Sequence, residues 1–382
     1  MKTSFLFGIL LPLTFAIAGC SKKPAPGPDP GPGPGSGNEK IEHVGTTQLS
    51  APRKELKAAA AGTKILFAGG TYSLNQPNTV DIYDVTTNTW TTSTLTTPRI
   101  EHAMTAFGNK IFIAGGWAPY SGINVTNSVE IYDVTTGKWA YQALSSPRIS
   151  LAATSLQNKA FFGGGGTLDK DGVCCIVSDR VDIYDLSTGS WSKSALSIPR
   201  DHLAAAAIGN KVLFAGGYGH SNQTGGFFSS RVDIYDITTG KWSIAELSEA
   251  RDHLYAAAAG NKILFAGGRN SNSSTAESKI VDIYDVSTGK WSTSALSEDR
   301  QGTAIAVIGN KILVAGGYSN KSAKHLSSVD VYDVSSGKWD KLELSEARMD
   351  GAAAGIKNKL LVGGGFAEVG FSKTVDIFGL TD

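Results

Sequence analysis

The chain has 382 residues, 35 Lys and Arg against 34 Asp and Glu, and a formal net charge of +1. No basic stripe appears along it, which excludes the electrostatic footprint of a nucleic-acid binder. Its 3 cysteines are Cys20 and the adjacent Cys174 and Cys175. With no His/Cys cluster near either, neither a metal site nor a cofactor is expected.

Met1-Lys2 leads into an apolar run from Phe5 to Ala18. That run is too short for a membrane span, which needs about 20 apolar residues. It reads as the charged and hydrophobic regions of a signal peptide, residues 1–19. The run ends in Ile17-Ala18-Gly19-Cys20, which resembles a bacterial lipobox. The resemblance implies cleavage before Cys20 and lipidation of its thiol, with the membrane as a partner through that anchor. Ser21 lacks the Asp that resembles an inner-membrane retention signal, so the outer membrane or cell surface is expected. Residues 20–38 alternate Pro (24, 26, 28, 30, 32, 34) mainly with Gly. Such a segment is a semi-stiff tether.

From residue 39 to 382 one pattern repeats. An Arg recurs at 53, 99, 148, 200, 251, 300 and 348, about every 49 residues. The offset from each Arg to the first Gly of a Gly-Gly pair is always 16, as from Arg99 to Gly115. All length variation follows the Gly pair. The copy that starts at Arg99 predicts four strands: Ala103 to Phe107, a Gly108-Asn109 turn, Lys110 to Ala114, then Val129 to Asp133 and a strand opening at Trp139. The first strands are Ala-rich, as at Ala204 to Ala207. Helix propensity is overridden there because Gly-Asn turns flank the runs and small side chains fit a crowded axis.

Gly-Gly, then Tyr, then Trp, with Arg leading the next copy, resembles the kelch repeat. The fold class is therefore all-β, a seven-bladed kelch-type β-propeller with four antiparallel strands per blade. A monomer is expected. The seventh copy carries Phe378 and Gly379 in place of Tyr and Asp and stops before a fourth strand. Ile41 to Leu49 is expected to supply that strand and close the edge. Val44, nine residues before Arg53, would take the place of the Trp.

Function is expected on the face that holds the variable loops. The residues after the Gly pairs are Thr71, Trp117, Gly166, Tyr218, Arg269, Tyr318 and Phe366. Aromatic rings of this kind bind apolar sugar faces and anchor peptides. Trp117, Tyr218, Arg269, Tyr318 and Phe366 are the candidate binding residues, joined by Arg99 and His102. The seven Arg offer forks for an acidic ligand. Each copy also carries an acid at the start of strand three (Asp81, Glu130, Asp182, Asp233, Asp282, Asp330, Asp376), so an internal ion-pair ring is the preferred reading. The reading favours a module that recognises a glycan or a protein and is not itself an enzyme. The alternative is a sugar isomerase resembling the kelch sialic-acid epimerases. It would use His202 or His253 as acid and base and Arg200 or Arg251 for a substrate carboxylate. The copper set of the galactose-oxidase branch has no counterpart in this sequence.

Overall fold

The computed structural model describes residues 39–72, 77–117, 125–168, 174–221, 225–271, 273 and 277–381, together with Met1. The signal peptide, Cys20 and the tether lie outside the described residues, as do the Cys174 and Cys175 thiols. No helix among the described residues is long and apolar enough to cross a membrane.

Among the described residues, seven four-stranded antiparallel sheets follow one another along the chain. The second is representative, with strands Ala103–Phe107, Lys110–Ala114, Ser128–Asp133 and Lys138–Ala143 in that spatial order. The Ala-rich segments are strands, because tertiary crowding outweighs their helix propensity. The innermost strands of neighbouring sheets nearly touch. A Cβ on Gly355, for example, would fall 2.0 Å from the Val307 carbonyl oxygen. A side chain at Gly355 would force those two blades apart.

Apolar side chains fill the space between blades. One cluster joins Leu213, Val232 and Ile234 of the fourth blade to Ile263, Phe265 and Tyr284 of the fifth. Phe67, Phe112, Phe161, Phe162 and Phe214 are fully buried in such layers. Each contributes about 1.5–3 kcal/mol relative to an exposed ring. The outer-strand Trp residues bridge blades as well. Trp139 Nε1 donates to Ser93 Oγ at 2.9 Å and Trp242 Nε1 to Ser194 Oγ at 2.8 Å.

A backbone seam runs between successive blades. The second Gly of each pair donates its N–H to the carbonyl of the next blade's Arg: Gly116 to Arg148 at 2.9 Å, and Gly365 to Arg53 at 2.8 Å. The last of these closes the ring. The first Gly has φ near +66° and no room for a side chain, since a Cβ on Gly115 would sit 2.5 Å from the Arg148 carbonyl oxygen.

The start of the propeller completes its last sheet. Lys40–Gln48 pairs antiparallel with Thr374–Thr381, which pairs with Lys359–Gly363. One detail departs from expectation. A bulge between His43 and Gly45 pushes Val44 outward, so His43 and not Val44 stands opposite Phe378. His43 packs edge-on against that ring at 5.3 Å and hydrogen-bonds Asp376 at 2.7 Å. Counting back from Arg53 could not register the extra residue.

Candidate functional site

The seven Arg are internal. None is more than 2% exposed, and each guanidinium pairs with the acid of its own blade. The distances are 2.6 Å for Arg53–Asp81, 2.5 Å for Arg99–Glu130, 2.5 Å for Arg148–Asp182 and 2.6 Å for Arg200–Asp233. Arg251 pairs with Asp282, Arg300 with Asp330 at 2.9 Å and Arg348 with Asp376 at 2.5 Å. The acid's second role is to accept a backbone N–H three residues before the Arg, as Asp233 accepts from Ser197 at 2.8 Å. Arg99 therefore does not face a ligand, and neither Arg200 nor Arg251 is free to grip a substrate carboxylate. A buried cation without its partner would be costly, so these pairs are structural.

The central mouth is framed two residues beyond each Arg. Glu55, Glu101, Ser150, His202, His253, Gly302 and Asp350 all adopt positive φ, between 49° and 62°. Six of these are not glycine, and such left-handed backbone concentrates at functional sites. Their main chains link blade to blade: Ser150 N–H to Glu101 O at 2.9 Å, His202 to Ser150 at 3.0 Å and His253 to His202 at 3.0 Å. With Leu56, Lys57, His102, Tyr255 and their neighbours, the six other than Gly302 line a cavity of about 280 Å³. Lys57 and Tyr255 occupy the inner-strand position that is Ala in the other five blades. Lys57 faces the open cavity yet is ringed by protein, and that burial lowers its pKa against the pull of Asp350 and Glu101.

A hydrogen-bond chain crosses this mouth. Asp201 Oδ1 accepts from His202 Nδ1 at 3.0 Å, and His202 Nε2 lies 3.1 Å from Ser150 Oγ, which also donates to Glu101 Oε2 at 2.7 Å. The His202 and His253 rings stack at 3.9 Å, so the two Arg-Asp-His triplets do meet. The pair is electrostatically split. Burial pulls His202 down, but Asp201, Glu101 and Asp252 carry its pKa above the ordinary value. Burial dominates at His253, with the neighbouring imidazole and Arg269 adding, and holds its pKa low despite Asp252. Arg269 grips Asp252 with two bonds of 3.1 and 2.9 Å.

His102 sits one position further on than His202 and His253, where four other blades have Leu. It is buried, and neither ring nitrogen has a hydrogen-bond partner. Burial, with the charges of Arg99 and Lys57, keeps it well below its ordinary pKa and so neutral. Its side chain edges the cavity from within the wall and is not a surface contact.

Trp117, Tyr218, Arg269, Tyr318 and Phe366 lie outside this frame, each bridged to the residue that follows an Arg. None lines the central cavity. Tyr218 and Arg269 line an adjacent hollow with His220, His202 and His253. Tyr318 and Phe366 belong to a ridge of ring contacts over the sixth, seventh and first blades. Tyr318 meets His325 at 5.2 Å, His325 meets Phe366 at 5.9 Å, Phe366 meets Phe371 at 5.3 Å and Phe371 meets Tyr72 at 5.2 Å. Sequence reasoning missed Glu55, Ser150 and Asp350. Their signal was the column two after each Arg, polar in six copies and Gly in one.

The comparisons with known proteins agree with this architecture. Residues 65–319 match the Attractin/LZTR1 beta-propeller family and residues 299–343 the Kelch motif. Kelch-like protein 25 of Xenopus tropicalis is 28% identical over 238 residues, 59% of this chain and 38% of that protein. Kelch-like protein 4 of Homo sapiens is 38% identical over 71 residues, 18% of this chain and 9% of that protein. The chain thus spans well under half the length of these curated relatives. The solved structure of YjhT superposes with a TM-score of 0.57 at 17% identity, over 75% of this chain and 98% of that one, a likeness of fold alone. With its Arg-led blades and a match that spans most of them, the chain belongs to the Attractin/LZTR1 beta-propeller family, built from kelch repeats.

Proposed function

We propose that the protein is a lipid-anchored, extracytoplasmic recognition module whose loop face binds a glycan. The observation that carries this is the ridge Tyr318–His325–Phe366–Phe371–Tyr72, which lays five rings side by side next to a polar mouth. Aromatic rings accept the apolar faces of sugars, and the flanking carboxylates, imidazoles and Lys54 supply donors and acceptors for hydroxyls. Lys54 itself lies 5.9 Å from the Phe366 centroid.

The test is a glycan array probed with the wild-type protein and with Tyr318→Ala/Phe366→Ala. Glycan binding that the double variant loses supports the ridge. Binding that survives it rejects this face, and capture of proteins with no glycan signal favours a protein ligand. For the anchor, cells that express the protein are fed an alkyne fatty acid. Label that vanishes in Cys20→Ser supports lipidation at Cys20, and label that persists overturns it.

A further inference from the structure

The geometry points to a second activity at the central mouth: hydrolysis of small acyl esters, with Ser150 as nucleophile, His202 as base and Asp201 holding the imidazole. This goes beyond glycan recognition on the ridge and rests on different residues.

The argument is the order and spacing of the groups. A serine hydrolase needs a hydroxyl at one ring nitrogen of a His and a carboxylate at the other. Ser150 Oγ is 3.1 Å from His202 Nε2, and Asp201 Oδ1 is 3.0 Å from His202 Nδ1. Asp201 is 3% exposed, so its carboxylate is fixed and shielded. Ser150 and His202 come from adjacent blades, and both are turned toward the cavity by their left-handed backbone, φ 51° and 49°. The same cavity is lined by Lys57, a cation whose field favours negative charge that develops within it. At about 280 Å³, with polar side chains alternating with Leu56, Leu151, Leu203 and Leu254, it has room for a short acyl group on a polar alcohol.

The steps balance without a further co-reactant. Ser150 Oγ attacks the acyl carbon while its proton passes to His202 Nε2. The ester C–O bond breaks, and the same proton leaves with the alcohol. Water then attacks the acyl-serine, again through His202, and releases the carboxylic acid. Glu101 is a competing acceptor for the Ser150 proton at 2.7 Å. With His202 protonated, the hydroxyl donates to Glu101 and the site rests. With His202 neutral, Nε2 can take the proton. The groups that face His202 are Asp201, Ser150, Glu101, His253 and Asp252, so its switch-on belongs to the whole cluster.

The test treats the full chain with a fluorophosphonate probe and maps the adduct by mass spectrometry, alongside turnover of p-nitrophenyl acetate. The expected result is one adduct, on Ser150, and hydrolysis that rises as pH climbs past the ordinary His range. Ser150→Ala should abolish both, and Asp201→Asn should slow turnover by roughly 10²–10⁴-fold. Ser150→Cys, which keeps the side-chain volume, guards against a folding defect and should show a burst of acyl-enzyme. An absent Ser150 adduct, or turnover unchanged in Ser150→Ala, overturns the proposal. Glycan capture by the ridge is read separately on the array, so either reading can fail alone.

Discussion

Removing one member of the buried ion-pair ring should cost more stability than any surface change. Consider Arg148→Met. Methionine fills much of the aliphatic volume, so the loss is mainly electrostatic. Asp182 would keep only the Ser145 N–H at 3.3 Å, and the carbonyls of Gly164 and Arg180 would lose guanidinium bonds of 2.7 and 2.9 Å. Breaking one partner of a buried pair typically costs about 3–5 kcal/mol, a large share of a typical domain's roughly 5–15 kcal/mol. Urea denaturation followed by Trp fluorescence would measure it. The double variant Arg148→Met/Asp182→Leu removes the stranded charge and should recover most of the loss. A loss under about 1 kcal/mol in the single variant would refute the reasoning, because the pair would then behave as an exposed one. So would a double variant no better than the single.

Gly115→Ala should destabilise by about 1–3 kcal/mol, read in the same urea experiment, because its Cβ collides with the Arg148 carbonyl oxygen. A neutral result would mean that the seam yields. Deleting residues 39–48 should expose the edge of Thr374–Thr381 and produce aggregation visible by light scattering; a monodisperse truncated protein would count against closure by that strand. Asp201→Asn should lower the pKa of His202, measured by NMR titration. Because that pKa is raised in the folded protein, its proton stabilises the fold at pH below about 6.5, and the contribution fades as pH rises through the raised value. The variant should therefore lose most stability at acid pH and least at alkaline pH.

Much of the fold was legible in the sequence because the constraints recur. The fixed spacing between Arg and Gly-Gly reports the seam, where a carbonyl approaches too closely for any Cβ. The matched acids report the ion pairs. The site was less legible, for two physical reasons. Side chains after the Gly pair look prominent in sequence but bridge outward, away from the cavity. His102 looks equivalent to His202, yet a shift of one residue along the strand turns it from the mouth into the wall. The Ser150–His202 contact joins separate blades 52 residues apart, and no local pattern announces it.

Closure by the first strand sets an order of events during synthesis. Lys40–Gln48 is synthesised long before its partner Thr374–Thr381. Until that partner has been made, Lys40–Gln48 has nothing to pair with, and the sheet the two share cannot form. Long-range pairing of this kind is slow and leaves strand edges vulnerable. A holding chaperone, or release of the whole chain before it zips shut, would shield that interval.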